Sequence, residues 1–251
     1  YYAFGASLGQ MVGPLVGGIV AGSNGVLPKS TSMGFFTAAG LALIALLPTF
    51  YWRKQKIAIK QTVNQDGTFI AAISMLKQPG MGKAIYISLA VSSAVDVLIV
   101  FLPLFGTENN FSPFAVGAIL AIRAGTSMFS RIFLGVIAQK LGSHFLMVSS
   151  IMASTVFCAA MFFARTPISL GIAVAIAGLA LGVGQPLTMS LVSRIAPPED
   201  RALAISARLT ANRVGQFVVP ASAGAIAGAA GAGSIFLGLA ALLASSIFTA
   251  L

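Results

Sequence analysis

Charge is what this sequence lacks most. Of its 251 residues, 15 are Lys or Arg and only five are Asp or Glu, so 8% are charged. Soluble domains carry roughly 25%, and so few ionisable side chains cannot cover the water-facing surface of a chain this long. A single cysteine, Cys158, and a single histidine, His144, exclude a disulfide scaffold and any multi-ligand Cys/His metal centre. No metal and no cofactor is expected. An intramembrane enzyme would need paired carboxylates, a Ser/His couple or metal ligands, and a P-loop enzyme a Gly-x-x-x-x-Gly-Lys-Ser/Thr string; neither is present.

What is abundant is apolar length. Hydrophobic residues make up 57% of the chain and the mean hydropathy is +0.96, which indicates an all-α, polytopic membrane protein. Eight runs are long enough for a helix to cross a bilayer: 1–22, 33–52, 84–105, 113–137, 145–164, 168–192, 203–229 and 233–251. Turn chemistry separates them at Gly22–Gly25, Gly106–Asn110, Arg165–Pro167 and Ala196–Asp200. The one long connector, Arg53 to Lys83, has an apolar face over Thr68–Lys77 that predicts a short helix lying on the membrane surface. The net charge of +10 does not suggest nucleic acid, because the basic residues lie mostly between apolar runs and not on one polar face. They act as topology signals instead. Nine fall on one side, six of them in the 53–83 connector with Lys140, Arg194 and Arg201, and two, Lys29 and Arg165, on the other. That bias places the long connector of a multi-pass protein in the cytoplasm, Tyr51-Trp52 fit an aromatic belt at the same interface, and a cell membrane of the bacterial inner-membrane type is the expected location.

The chain also repeats itself. Gly9–Gly22 and Gly215–Gly228 share seven of fourteen positions, among them a Gly-Gln pair and a central proline, at an offset of 206. Both segments run in the same direction, so the repeat is parallel. The string Gly9-x-x-x-Gly13-Pro14-x-x-Gly17-Gly18 puts glycine at every fourth position, a strip that lets another helix approach closely, with a bend at Pro14. A second string, Gly135-Val-Ile-Ala-Gln139-Lys140-Leu-Gly142-Ser-His144, occupies the connector between the fourth and fifth runs.

Parallel halves of six helices are the organisation of the major facilitator superfamily, and the sequence resembles that family over its whole length. The first string is similar to its fifth-helix antiporter motif. The second is similar to its Gly-x-x-x-Asp-Arg-x-Gly-Arg-Arg loop motif, with Gln139 where the acid stands and Lys140 for the first arginine, so the charge of a gating salt bridge is missing. The resemblance implies a fold of two six-helix bundles, of which eight helices are present: residues 1–52 as the last two helices of the first bundle, 53–83 as the interdomain loop and 84–251 as the second bundle. It implies that about four helices precede Tyr1. It further implies a monomeric secondary transporter working by alternating access, a proton-coupled antiporter exporting a small, hydrophobic or drug-like compound. A symporter or facilitator for a small metabolite is the alternative mechanism, and a non-transporting sensor or scaffold the alternative class.

Ionisable residues inside a span are costly and mark function by default. Asp96 is the one acidic residue well inside a run, about 14 Å from the end of its span, and Arg123 lies about 15 Å into the next. The two are candidates for a charge pair and for proton coupling. Gln185 and Pro186, in a glycine-rich stretch that frees backbone polar groups, and Asn212, Arg213 and Gln216 are candidates for the wall of a substrate cavity. Arg131 and Arg208 are expected to snorkel towards the cytoplasmic surface.

Overall fold

The computed structural model describes residues 2–21, 31–52, 75 and 78–250. Among them are eight α-helices and no strand: α1 (Tyr2–Ala21), α2 (Thr31–Trp52), α3 (Met81–Glu108), α4 (Pro113–Leu141), α5 (Ser143–Phe162), α6 (Pro167–Ile195), α7 (Arg201–Ala230) and α8 (Ala232–Ala250). The surface helix expected over Thr68–Lys77 lies outside the described residues apart from Met75, as do the Gly22–Gly25 connector, Lys29, residues 53–74 and the side chains of Tyr51 and Trp52.

Among the described residues, five helices, α3, α4, α5, α6 and α8, are long and apolar enough to cross a membrane. α7 has the length, but Arg208, Arg213 and Gln216 in a background of small residues reduce its hydropathy. The helix ends follow local chemistry. Ser112 caps α4 by accepting from the Ala115 N–H at 3.2 Å, with Pro113 at the first helical position, where its missing donor costs nothing. Thr166 and Ser169 form a reciprocal capping box at the start of α6. Single glycines with positive φ, Gly142 and Gly231, join α4 to α5 and α7 to α8, because only glycine takes that conformation without strain. One expected connector is shorter than the sequence indicates: α3 continues through Gly106 to Glu108, and the turn is made by Asn109 and Asn110.

Lys83, Lys140, Arg194 and Arg201 sit at one end of the helix bundle, the basic end, and Arg165 at the other, as the alternating directions of the helices require. α3 is the most enclosed helix and packs on α6, α7 and α8, while α5 packs on α6 and α8, and α4 on α6 and α1. The shared core joins Leu98, Leu102, Ile151, Met161, Leu170 and Leu243. Near the opposite end, Phe105 and Phe236 meet edge to face with ring centroids 5.1 Å apart. There too the Glu108 carboxylate accepts from the Ala232 N–H at 3.0 Å, a negative group placed on the positive end of α8.

Lipid tails are as apolar as leucine, so helices in a bilayer associate through close packing and not through hydrophobic exclusion. The α4–α6 contact follows this rule. A Cβ placed on Gly178 would fall 2.8 Å from the Arg123 carbonyl oxygen, and one on Gly182 2.7 Å from the Ser127 Cα. These glycines, one turn apart, bring α6 directly onto the α4 backbone. On the other side of α4, a Cβ on Gly18 of α1 would lie 3.0 Å from the Pro113 carbonyl oxygen and 3.3 Å from the Gly117 Cα. Gly178→Val is therefore expected to destabilise the bundle by about 2 kcal/mol or more. Gly135→Ala, at a glycine where an added methyl would meet no atom within 4 Å, is expected to stay within about 0.5 kcal/mol. Thermal unfolding of the two variants in detergent checks the contrast.

Candidate functional site

A proline inside a helix leaves the carbonyl four residues earlier without its donor. In α6 this occurs at Pro186, and the carbonyl affected belongs to Gly182. Arg131 of α4 supplies the missing donor: its Nε donates to the Gly182 carbonyl at 3.3 Å, and its Nη2 to Gln185 Oε1 at 3.0 Å. From the other side, Arg208 of α7 donates through Nη2 to the Gln185 carbonyl at 3.3 Å and to Thr188 Oγ1 at 3.2 Å. Two arginines from two helices thus brace the proline-weakened turn of a third.

These groups form the wall of a cavity of about 370 Å³ between α3, α4, α6 and α7. Its lining includes Gln185, Pro186, Asn212, Arg213 and Gln216, all five of the residues proposed from sequence for a cavity wall. Ser92, Arg131, Met189, Arg208 and Leu209 complete it. At roughly 1.5 Å per residue, Arg213 lies about 18 Å and Gln185 about 15 Å from the basic end of their helices, so the cavity reaches towards mid-membrane. Asn212 is held on α3 by the Ser88 hydroxyl, which donates to its Oδ1 at 3.2 Å. Close approach of α7 to α3 permits this, since a Cβ on Gly215 would fall 2.7 Å from Leu89 Cγ.

Arg131 and Arg208 do not snorkel. Arg131 is about 15 Å from the end of α4, further than its side chain reaches, and the unserved Gly182 carbonyl gives it a partner within the bundle. Arg208 is 5% exposed and engaged with α6. The sequence signal for Arg131 was Pro186, which had to leave the Gly182 carbonyl for some donor to take.

The expected partners Asp96 and Arg123 interact electrostatically but do not close into a hydrogen-bonded ion pair. α3 and α4 are adjacent in sequence but make little contact, because α4 lies against α6 and α1. Asp96 turns towards α7 and shares a side-chain hydrogen bond with Gln216, while Gln216 Oε1 accepts from Arg213 Nη1 at 2.8 Å. A relay Asp96–Gln216–Arg213 therefore links the carboxylate to the cavity. Asp96 Oδ2 is buried with no hydrogen-bond partner. Arg123 is 4% exposed and lies at the α4–α6 crossing, its Nε also without a partner.

The glycine-proline string of α1 divides. Gly18 and the Pro14 carbonyl face Gly117 of α4, whereas a methyl on Gly9, Gly13 or Gly17 would meet no atom within 4 Å among the described residues. The contact to α4 is thus made by the residue beside the four-residue strip. In the second string, Gly142 makes the turn between α4 and α5, its N–H donating to the Ala138 carbonyl at 3.1 Å. Gln139 and Lys140 are exposed, and Gly135 has open space around it. Among the described residues no group of three or more His, Cys, Asp or Glu side chains is placed to hold a metal.

The Major Facilitator Superfamily model matches this chain over residues 1–171 and again over 86–251. The chain is similar to multidrug resistance protein MdtG of Yersinia enterocolitica, 25% identical over 194 residues that make up 75% of this chain and 45% of the relative. It is also similar to a multi-drug resistance efflux pump PmrA homolog of Lactococcus lactis, 24% identical over 88% of this chain and 54% of the relative. MdtG of Enterobacter lignolyticus is 26% identical over 75% of this chain and 45% of its own length. The chain thus spans about half the length of the curated relatives it matches.

The arginine-proline arrangement has a measurable signature. Arg131→Ala leaves the Gly182 carbonyl unserved and is expected to cost about 1–3 kcal/mol of stability. Pro186→Ala supplies a backbone N–H to the same carbonyl, so the double variant is expected to recover part of that loss. A double-mutant cycle followed by thermal unfolding measures the coupling; strict additivity would show that Arg131 does not serve this carbonyl.

Proposed function

Because the chain belongs to the Major Facilitator Superfamily, we propose that it forms part of a secondary active transporter that carries a small molecule through the cavity between α3, α4, α6 and α7. The observation that supports this most is the convergence of seven polar side chains from four helices on one cavity, within a bundle whose shared core is apolar. Polar groups are retained at such depth where they line a path for solute or water. Names given to relatives, multidrug resistance protein and multi-drug resistance efflux pump, favour export of a drug-like compound.

α3–α8 then constitute a second six-helix bundle, residues 84–251 with α3 beginning slightly earlier at Met81, and α1 and α2 the last two helices of a first. Residues 53–83 connect them. The Gly18–Gly117 approach is the contact across which one bundle rocks against the other in alternating access. The basic end, with Lys83, Lys140, Arg194 and Arg201, faces the cytoplasm by the positive-inside rule; similarity to bacterial proteins supports a bacterial inner membrane, where we take the protein to act as a monomer.

Asp96 is the proton-coupling group in this reading. Its Oδ2 has no internal partner, and its bond to Gln216 places it one side chain behind the cavity wall. Protonation would weaken its hold on Gln216 and free Arg213, linking the proton to the shape of the cavity. In proteoliposomes of the full-length protein, Asp96→Asn is expected to abolish uphill transport driven by a pH gradient by at least 100-fold while leaving downhill counterflow within about threefold. These correspond to about 2.7 and 0.65 kcal/mol at 1.36 kcal/mol per tenfold. Unchanged gradient-driven transport in Asp96→Asn would remove the coupling role. Absence of any flux in the wild type would favour the sensor or scaffold class instead.

A further inference from the structure

Among the described residues the cavity wall is richer in arginine than its surroundings are in acid. Arg131, Arg208 and Arg213 line it, and the acceptors described above for the first two are neutral: the Gly182 and Gln185 carbonyls, the Gln185 amide oxygen and the Thr188 hydroxyl. Arg213 donates to another neutral group, the Gln216 amide. The nearest acid is Asp96, which bonds Gln216 and interacts electrostatically with Arg213, one negative charge against three arginines in the wall. The remaining acidic residues of the sequence are far away or committed elsewhere. Glu108 caps α8 at the opposite end, Glu199 and Asp200 lie in the turn before α7, and Asp66 falls outside the described residues. Neither Arg208 nor Arg213 makes an ion pair with a carboxylate of the described residues.

Unbalanced cations at such depth are expensive, and a fixed excess of one sign in a low-dielectric cleft attracts the opposite sign. Guanidinium is also the side chain whose fork of donors matches an oxyanion. Arg208 lines the cavity and engages α6 through its Nη2 alone. Arg213 is exposed and lines the cavity, where its Nη1 donates to Gln216. Pro186, Met189 and Leu209 provide the apolar portion of the lining. We infer that the cavity takes an amphipathic small molecule by its oxyanion group, a carboxylate, sulfonate or phosphonate, with Arg208 and Arg213 as the receiving pair. Arg131 adds its charge from α4, and the apolar body of the molecule lies against Met189 and Leu209. This deepens the transport reading and rests on it only in treating the occupant as cargo.

The test uses three probes that share one body and differ in charge: 4-phenylbutyrate, 4-phenylbutanamide and 4-phenylbutyl-trimethylammonium. Equilibrium binding is measured on the full-length protein in nanodiscs of phosphatidylcholine. The anion is expected to bind at least tenfold more tightly than the amide, and the cation more weakly than either. Arg213→Gln is the informative variant, because Arg131 and Arg208 also brace α6 and their loss would loosen the fold. It is expected to weaken the anion about tenfold and leave the amide unchanged, with Arg213→Lys recovering part of the loss. An anion that binds no better than the amide overturns the inference, and absence of binding by all three probes counts as that result. So does loss of anion binding when phosphatidylglycerol is added, which would assign the arginines to a lipid headgroup. Binding in the expected order without counterflow of the anion in proteoliposomes would remove the transport reading and leave the oxyanion site standing.

Discussion

The polar interior of this bundle depends on one missing hydrogen bond. Pro186 has no N–H, so the Gly182 carbonyl in the middle of α6 has to find a donor from another helix. Arg131 does so from α4, and with that bond a charged side chain is fixed deep in the membrane with the rest of its guanidinium directed at Gln185. Arg208 completes the arrangement from α7. The placement of Arg131 in the cavity wall follows from how this one turn is satisfied.

Close packing makes the arrangement possible. Gly178 and Gly182 bring α6 onto the α4 backbone, which puts Arg131 within reach of the carbonyl it serves; a larger residue at either position would push the donor away. Gly215 does the same for α7 and α3, so that Ser88 reaches Asn212 and Asp96 reaches Gln216. The glycines thus do not form a site themselves. They set the distances at which polar side chains on different helices meet.

How much of this was legible in the sequence depends on whether a feature is local. Helix positions were, because apolar length and capping residues such as Ser112 and Thr166 are read along the chain. The cavity residues Gln185, Pro186, Asn212, Arg213 and Gln216 were also legible, since a polar or helix-weakening residue in a span needs an explanation where it stands. Partner choice was not. Asp96 and Arg123 match in depth, but depth does not say which helices touch, and α4 turns to α6 and α1 and not to α3. The outward course expected for Arg131 and Arg208 failed for the same reason: a nearer acceptor lay on a helix distant in sequence. Likewise the Gly9, Gly13 and Gly17 strip was evident from its spacing, while Gly18 beside it makes the contact with α4.

The central claim is that the space between α3, α4, α6 and α7 is a water-filled path for solute and not a sealed polar core. Thiol accessibility tests it most directly, with the native Cys158 fully buried and silent. Cysteines placed at Met189 and Gln216 in the cavity wall are compared with one at Phe129, which is 57% exposed on an apolar groove between α4, α5 and α6. With a membrane-impermeant maleimide on protein in intact bilayers, the two cavity cysteines are expected to react and the Phe129 position to stay unlabelled. Cavity cysteines that label no faster than the one at Phe129 would contradict the account.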